Sequence, residues 1–193
     1  MSFKPLLDAY RDFLSLRPEP KVQEWVKAID WNMVERDLPP QIYSCARQLE
    51  GLEAYGNAST NRVIKALQEN ADKLHWMRSY TADDFGQEFL DGYGHIEIIG
   101  TRGCFVNDQF SGGVVMYGPN TNYPNHWHVA EEIYFPLTSG ALWGKDDGPL
   151  QERKAGEFIF HESNEHHEMK MQDAPLLALW MWHGGDLAQK CDY

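Results

Sequence analysis

Tyr123-Pro-Asn-His126-Trp-His128-Val-Ala-Glu131-Glu132-Ile-Tyr134-Phe135 is the stretch whose reading decides both fold and chemistry. Side chains two apart on an extended chain share a face. An unbroken strand here would send His126, His128, Glu132 and Tyr134 to one side, and Trp127, Ile133 and Phe135 to the other. Two imidazoles and a carboxylate converging in a partly apolar setting make a natural site for a divalent metal. The plainer reading, a polar strand face with solvated histidines, leaves the spacing unexplained.

Working outward, the 193 residues suffice for one well-buried domain. An apolar share of 42% with 13% aromatic residues is that of a globular chain. No apolar run approaches the ~18 residues of a membrane span, and Met-Ser-Phe-Lys-Pro does not resemble a secretory signal. Cys45, Cys104 and Cys191 are scattered without metal-type pairing, which suits a reducing cytoplasm. The formal net charge of −12 argues against nucleic acid as a partner and is compatible with a cationic small substrate.

The first 80 or so residues carry helical periodicity. Leu6, Leu7, Tyr10, Phe13 and Leu14 form one stripe, and Val22, Trp25, Val26 and Ile29 another after Pro18 and Pro20. A third helix is expected around Ile42, Cys45 and Leu49, ending at Gly51. A fourth, capped by Ser59-Thr-Asn61, would carry Val63, Ile64, Leu67, Leu74 and Met77. Such a region could cover a β-scaffold or build a homodimer interface, and the sequence does not choose between them. From about Gly86 short apolar runs alternate with turn residues: 95–99, 113–117, 132–137, 141–143, 158–160 and 176–182. This pattern predicts an antiparallel sandwich or barrel. The expected organisation is a helical region over 1–85 packed on a β-barrel over 86–193.

The central stretch resembles the first signature of the cupin family, with Gly118, His126, His128, Glu132 and Gly140 in the motif positions. The resemblance implies a double-stranded β-helix (jelly-roll) barrel and a fourth ligand from a second motif. That motif falls in Gly156-Glu-Phe-Ile-Phe-His161-Glu-Ser-Asn164-Glu-His166-His167, where Glu162 replaces the usual proline and Asn164 the glycine. Strand alternation places His167, Met169 and Met171 inward and His166, Glu168 and Lys170 outward, which favours His167 over His166. His161 falls in the turn before this strand and reads as structural, and His183 as a rim residue.

The wider pattern Tyr-Pro-x-His-x-His-x-Ala-Glu-Glu-x-Tyr-Phe, with the late Trp182-His-Gly-Gly-Asp186-Leu, is similar to the cupin-type dimethylsulfoniopropionate lyases, in particular their short, DddQ-like members. The resemblance implies one divalent ion (zinc, iron, manganese or nickel) held by His126, His128, Glu132 and His167. It implies Tyr134 as the base, with a phenol made more acidic than usual, and Tyr123 as a second active-site tyrosine. The implied reaction is β-elimination of a sulfonium carboxylate to dimethyl sulfide and acrylate. Tyr123, Trp143, Trp180 and Trp182 offer aromatic faces to the sulfonium. Rival readings are another metal-dependent cupin enzyme, such as a dioxygenase or isomerase, and a non-catalytic cupin that binds a small ligand.

Overall fold

The computed structural model describes residues 2–193. Among these, the helices come first. α1 (Lys4–Ser15) starts with Pro5 in its first turn, where the missing N–H costs nothing, and buries the predicted stripe from Leu6 to Leu14. α2 (Pro20–Ala28) begins on a proline and buries Val22 and Trp25. The expected third helix forms only as two short 3-10 segments, Ser44–Leu49 and Leu52–Ala54, divided by Gly51 at φ +75°. Ile42 lies outside them and is exposed. α3 (Asn61–Gln68) is shorter than the spacing predicted. Its entry turn is fixed by Asn57, whose Oδ1 accepts from the Ser59 and Thr60 N–H groups. Leu74 and Met77 lie beyond its end, and Met77 bridges to His95.

α4 (Ala82–Gly92) straddles the position where the sequence changes character. Its start is held by Asp84, whose carboxylate accepts from the Thr81 N–H and hydroxyl, a variant of the capping box. It kinks at Gly86, at φ +82°.

The strands are β1 (Gly94–Gly100), β2 (Phe105–Val106), β3 (Phe110–Tyr117), β4 (Asn122–His126), β5 (Glu131–Pro136), β6 (Ala141–Lys145), β7 (Gln151–Arg153), β8 (Ile159–His161), β9 (His167–Lys170) and β10 (Leu176–His183). They make a six-stranded sheet in the order β2-β1-β3-β10-β5-β8 and a four-stranded sheet in the order β4-β9-β6-β7. The architecture is the cupin jelly roll. As expected for that fold, two facing sheets, each hydrogen-bonded within itself, enclose the site.

Alternation gives the six-stranded sheet two buried faces. Ile96, Ile98, Val114, Met116, Ile133, Phe135, Leu177, Leu179 and Met181 belong to the core shared with α1, α2 and α3. Val115, Tyr117, Tyr134, Ala178 and Trp180 belong to a second cluster with Trp143 and Met169 of the smaller sheet. Phe13 meets Phe135 edge-on, with ring centroids 5.3 Å apart. The Tyr10 hydroxyl donates to the Trp180 carbonyl at 3.0 Å. This close approach requires glycine at 112, where a Cβ would stand 2.2 Å from the Tyr10 oxygen. Helices thus brace one face while the other is free to carry chemistry.

Candidate metal centre

The central stretch is not one unbroken strand. β4 ends at His126, Trp127 bridges to Asp192, and the chain bends through Val129 and Ala130 before β5 begins in the other sheet. His126 and Glu132 therefore approach each other from facing sheets, and only Glu132 and Tyr134 share a face by strand alternation. His167 opens β9 and lies directly across from His126 in the β4–β9 ladder, with the two rings 4.0 Å apart.

Three side chains form the tightest group. His128 Nε2 lies 3.0 Å and His167 Nε2 3.4 Å from Glu132 Oε2. The nitrogen and oxygen atoms of this trio all fall within 4.8 Å of one another, and all three residues are buried. His126 flanks the trio, its ring 6.4 Å from that of His128. His166 lies on the far side of its strand, stacked on Trp127 and paired with Asn125 at 3.1 Å.

The histidines are oriented by their own backbone. Nδ1 of His126, His128 and His167 each sits 2.9 Å from a carbonyl two residues away, that of Pro124, Ala130 and Glu165 respectively. A carbonyl can only accept, so each contact assigns the proton to Nδ1 and leaves the Nε2 lone pair free. His167 Nε2 has no protein partner although it is buried. Two such lone pairs beside a carboxylate oxygen are acceptors facing an acceptor, and a shared cation resolves the conflict. The donor set, two imidazole nitrogens and one carboxylate oxygen with a third imidazole beside them, fits a divalent ion.

Glu132 is anchored at its other oxygen, which accepts from Trp182 Nε1 at 2.6 Å. Burial alone would raise its carboxyl, but the two imidazoles 3.0 and 3.4 Å from Oε2 outweigh that and hold it well below the usual carboxylate range. Burial, with the neighbouring His167 as the next cause, pushes His126 well down. The same surroundings act on the Tyr134 phenol. Burial first, then the Glu132 charge, push it well above 10, so the protein's own groups make it less acidic.

A cavity of about 60 Å³ adjoins the cluster. Tyr80, Tyr117, Tyr123, Tyr134, Trp180 and Trp182 form its aromatic wall, and His95 and Arg102 also line it. Tyr123 stacks on His126 at 3.9 Å, and its hydroxyl is hydrogen-bonded to that of Tyr80. Trp143 packs on Tyr134 at 5.2 Å without lining the cavity. His183 is drawn away, stacked on Phe110.

One side of the cavity is closed by residues 184–193, which leave β10 through Gly184 and Gly185, both at positive φ. Leu187, Gln189 and Cys191 of this strap line the cavity. Two backbone hydrogen bonds to Trp127 hold it, and Lys190 and Tyr193 both bond Asp84 Oδ1, at 2.6 and 2.7 Å.

Two groups escaped the sequence reading. Tyr80 and Tyr93 lie far from the motif in sequence, and Tyr117 sits just before its first glycine, Gly118, without belonging to it. His161 is in β8 and not in a turn, paired across from Glu132. It is buried against His167 in a parallel stack at 4.0 Å, with neither ring nitrogen in a hydrogen bond although Nδ1 lies 3.4 Å from Glu165 Oε2, and burial pushes it down to about 2.

Comparison with known proteins points in one direction. The sequence profile of the dimethylsulfoniopropionate lyase family matches residues 20–178. The dimethylsulfoniopropionate lyase DddQ of Ruegeria pomeroyi is 33% identical over 109 residues, 56% of this chain. That match spans about half, 54%, of the relative's length. The putative dimethylsulfoniopropionate lyase DddL of Cereibacter sphaeroides is 24% identical over 160 residues, 82% of this chain and 67% of the other. The crystal structure of DddQ from Ruegeria pomeroyi superposes with a TM-score of 0.87 at 26% identity, covering 98% of this chain and 94% of that one.

Proposed function

The chain belongs to the dimethylsulfoniopropionate lyase family, and from that premise we propose that it is a metal-dependent carbon–sulfur lyase that cleaves dimethylsulfoniopropionate to dimethyl sulfide and acrylate. The observation that carries the reading is the set of buried histidines whose Nδ1 atoms are tied to carbonyls, beside Glu132 and an aromatic cavity. A divalent ion held by His128, Glu132 and His167, with His126 as the fourth ligand, would supply two things: it offsets the charge that builds beside the substrate carboxylate, and it opposes the upward push that burial and Glu132 exert on Tyr134.

The chain's own residues do the rest. Ionised to the phenolate, Tyr134 Oη takes the proton from the carbon next to the carboxylate and becomes the neutral phenol. The electron pair left behind forms the double bond as the carbon–sulfur bond breaks, and sulfur keeps the bonding pair and departs neutral. The rings of Tyr117, Trp180 and Trp182 offer their faces to the sulfonium. Tyr123, fixed by stacking on His126, presents a hydroxyl to the substrate. The strap keeps bulk water from that side of the cavity.

In the same reading residues 1–85 form a helical cover for the strand-bearing region 86–193, and the enzyme works in the cytoplasm, where Cys45, Cys104 and Cys191 stay reduced. The test is a headspace assay on purified protein before and after chelation and after restoring each candidate ion. Equimolar dimethyl sulfide and acrylate that vanish with chelation are expected. A metal-loaded protein that releases neither would sink the substrate assignment.

A further inference from the structure

Tyr80 stands outside every motif in the sequence. It lies between α3 and α4, yet it is buried and lines the cavity. Its ring is wedged against Phe85 at 4.7 Å, Tyr93 at 5.5 Å and Phe89 at 6.0 Å, with Lys190 Nζ 5.5 Å from its centroid. A ring so packed has one orientation, and that orientation delivers its hydroxyl to the hydroxyl of Tyr123.

Tyr123 needs such a partner. Stacking on His126 at 3.9 Å and Tyr117 at 5.3 Å fixes the plane of its ring. Stacking does not fix the O–H, which can lie in the ring plane toward either side. A hydroxyl gives one hydrogen bond and accepts others, so in a hydroxyl pair one member donates and the other keeps its proton for a further partner. Tyr123 is the member that borders the ligand histidines. Either hydroxyl of the pair can donate, and Cys191 borders both; donation from Tyr80 would leave the Tyr123 proton for whatever occupies the cavity.

We infer that Tyr80 is a positioning residue: its hydroxyl donates to Tyr123 and so directs the Tyr123 O–H at the substrate. The inference rests on the lyase reading for the identity of the substrate, but the hydroxyl pair can be examined without it.

Tyr80→Phe keeps the ring and its packing and removes only the oxygen. In the full chain loaded with zinc, kcat/KM should fall roughly three- to tenfold, the worth of one ordinary hydrogen bond. The loss should sit mainly in KM, since an aimed donor holds substrate and transition state alike. Adding Tyr80→Phe to Tyr123→Phe should change little further, because residues acting as one unit are not additive. A second readout needs no turnover. With tyrosine labelled at Cζ by carbon-13, the Tyr123 resonance, identified by its loss in Tyr123→Phe, should move in Tyr80→Phe. Unchanged kinetics with an unmoved resonance would reduce Tyr80 to a packing residue, and additive losses in the double variant would overturn the coupling. If the unmodified protein releases no dimethyl sulfide, the lyase reading fails by itself, and the Tyr123 resonance still decides whether Tyr80 holds its hydroxyl.

Discussion

His167→Ala removes an imidazole whose Nε2 has no partner in the protein, whereas His166→Ala removes one stacked on Trp127. Metal content and activity should therefore fall together in the first and stay near normal in the second, by elemental analysis alongside the headspace assay. Tyr134→Phe keeps the ring against Trp143 and removes the oxygen proposed to accept the proton. Folding and metal content should survive, and turnover should drop by about 10²–10⁴-fold, as for other general bases. Near-normal release from Tyr134→Phe with a dead Tyr123→Phe would exchange the two roles. At this scale alternation carried the reading well: His167, Met169 and Met171 are buried while Lys170 is exposed. The anchor from Trp182 to Glu132 could not be foreseen. It spans 50 residues and exists only because β10 and β5 pair in the register that sets these two opposite each other.

Asp84 joins two elements, closing the first turn of α4 with one carboxylate oxygen and the strap over 184–193 with the other. Asp84→Asn should loosen the strap before it unfolds anything else, since the carboxylate bonds only the start of α4 and the strap, and Gly184 and Gly185 supply the hinge. Hydrogen exchange should quicken several-fold across 184–193 and at Trp127, with the amides of β3 and β10 unaffected. Equal quickening throughout would mean that Asp84 matters to the whole fold. The first two helices were legible because a three- and four-residue apolar spacing sits between prolines. α4 was missed because Ala82–Gly92 is acidic and has a glycine near its centre, which masks the short stripe Phe85, Phe89 and Leu90 and the cap at Thr81 and Asp84. The break between β4 and β5 left no trace either. Trp127-His-Val-Ala130 contains neither glycine nor proline, so the alternation looked continuous across a change of sheet.

Across the whole molecule, burial sets limits on pH. Tyr10, Tyr80, Tyr93, Tyr117, Tyr123 and Tyr134 are all raised above their ordinary 10.0, chiefly by desolvation. Above pH 10 the unfolded chain gives up phenolic protons that the folded chain keeps, so stability falls as pH rises, by up to ~1.4 kcal/mol per unit for each tyrosine. His95, His126 and His161 are pushed below their ordinary 6.5, again chiefly by burial. Below 6.5 the unfolded chain takes up protons that the folded chain refuses, so stability falls as pH drops. Burial likewise raises the Cys45, Cys104 and Cys191 thiols above their ordinary 9.0, so the alkaline loss begins with them. Urea midpoints of chelated protein should stay level between about pH 7 and 8.5 and decline on both sides, and a midpoint rising from pH 10 to 11 would contradict the burial. The six-stranded sheet has a further consequence, for how such a protein can change over generations. Its helix-facing residues, Phe135 and Leu179 among them, touch α1 and its neighbours, and its other face holds the cluster. A recombination event that exchanged the first 85 residues for those of a distant relative would mismatch one face of the very strands that aim Glu132 and Tyr134. Drift at Phe13 should accordingly be answered by drift at Phe135, and the two portions inherited as a single unit.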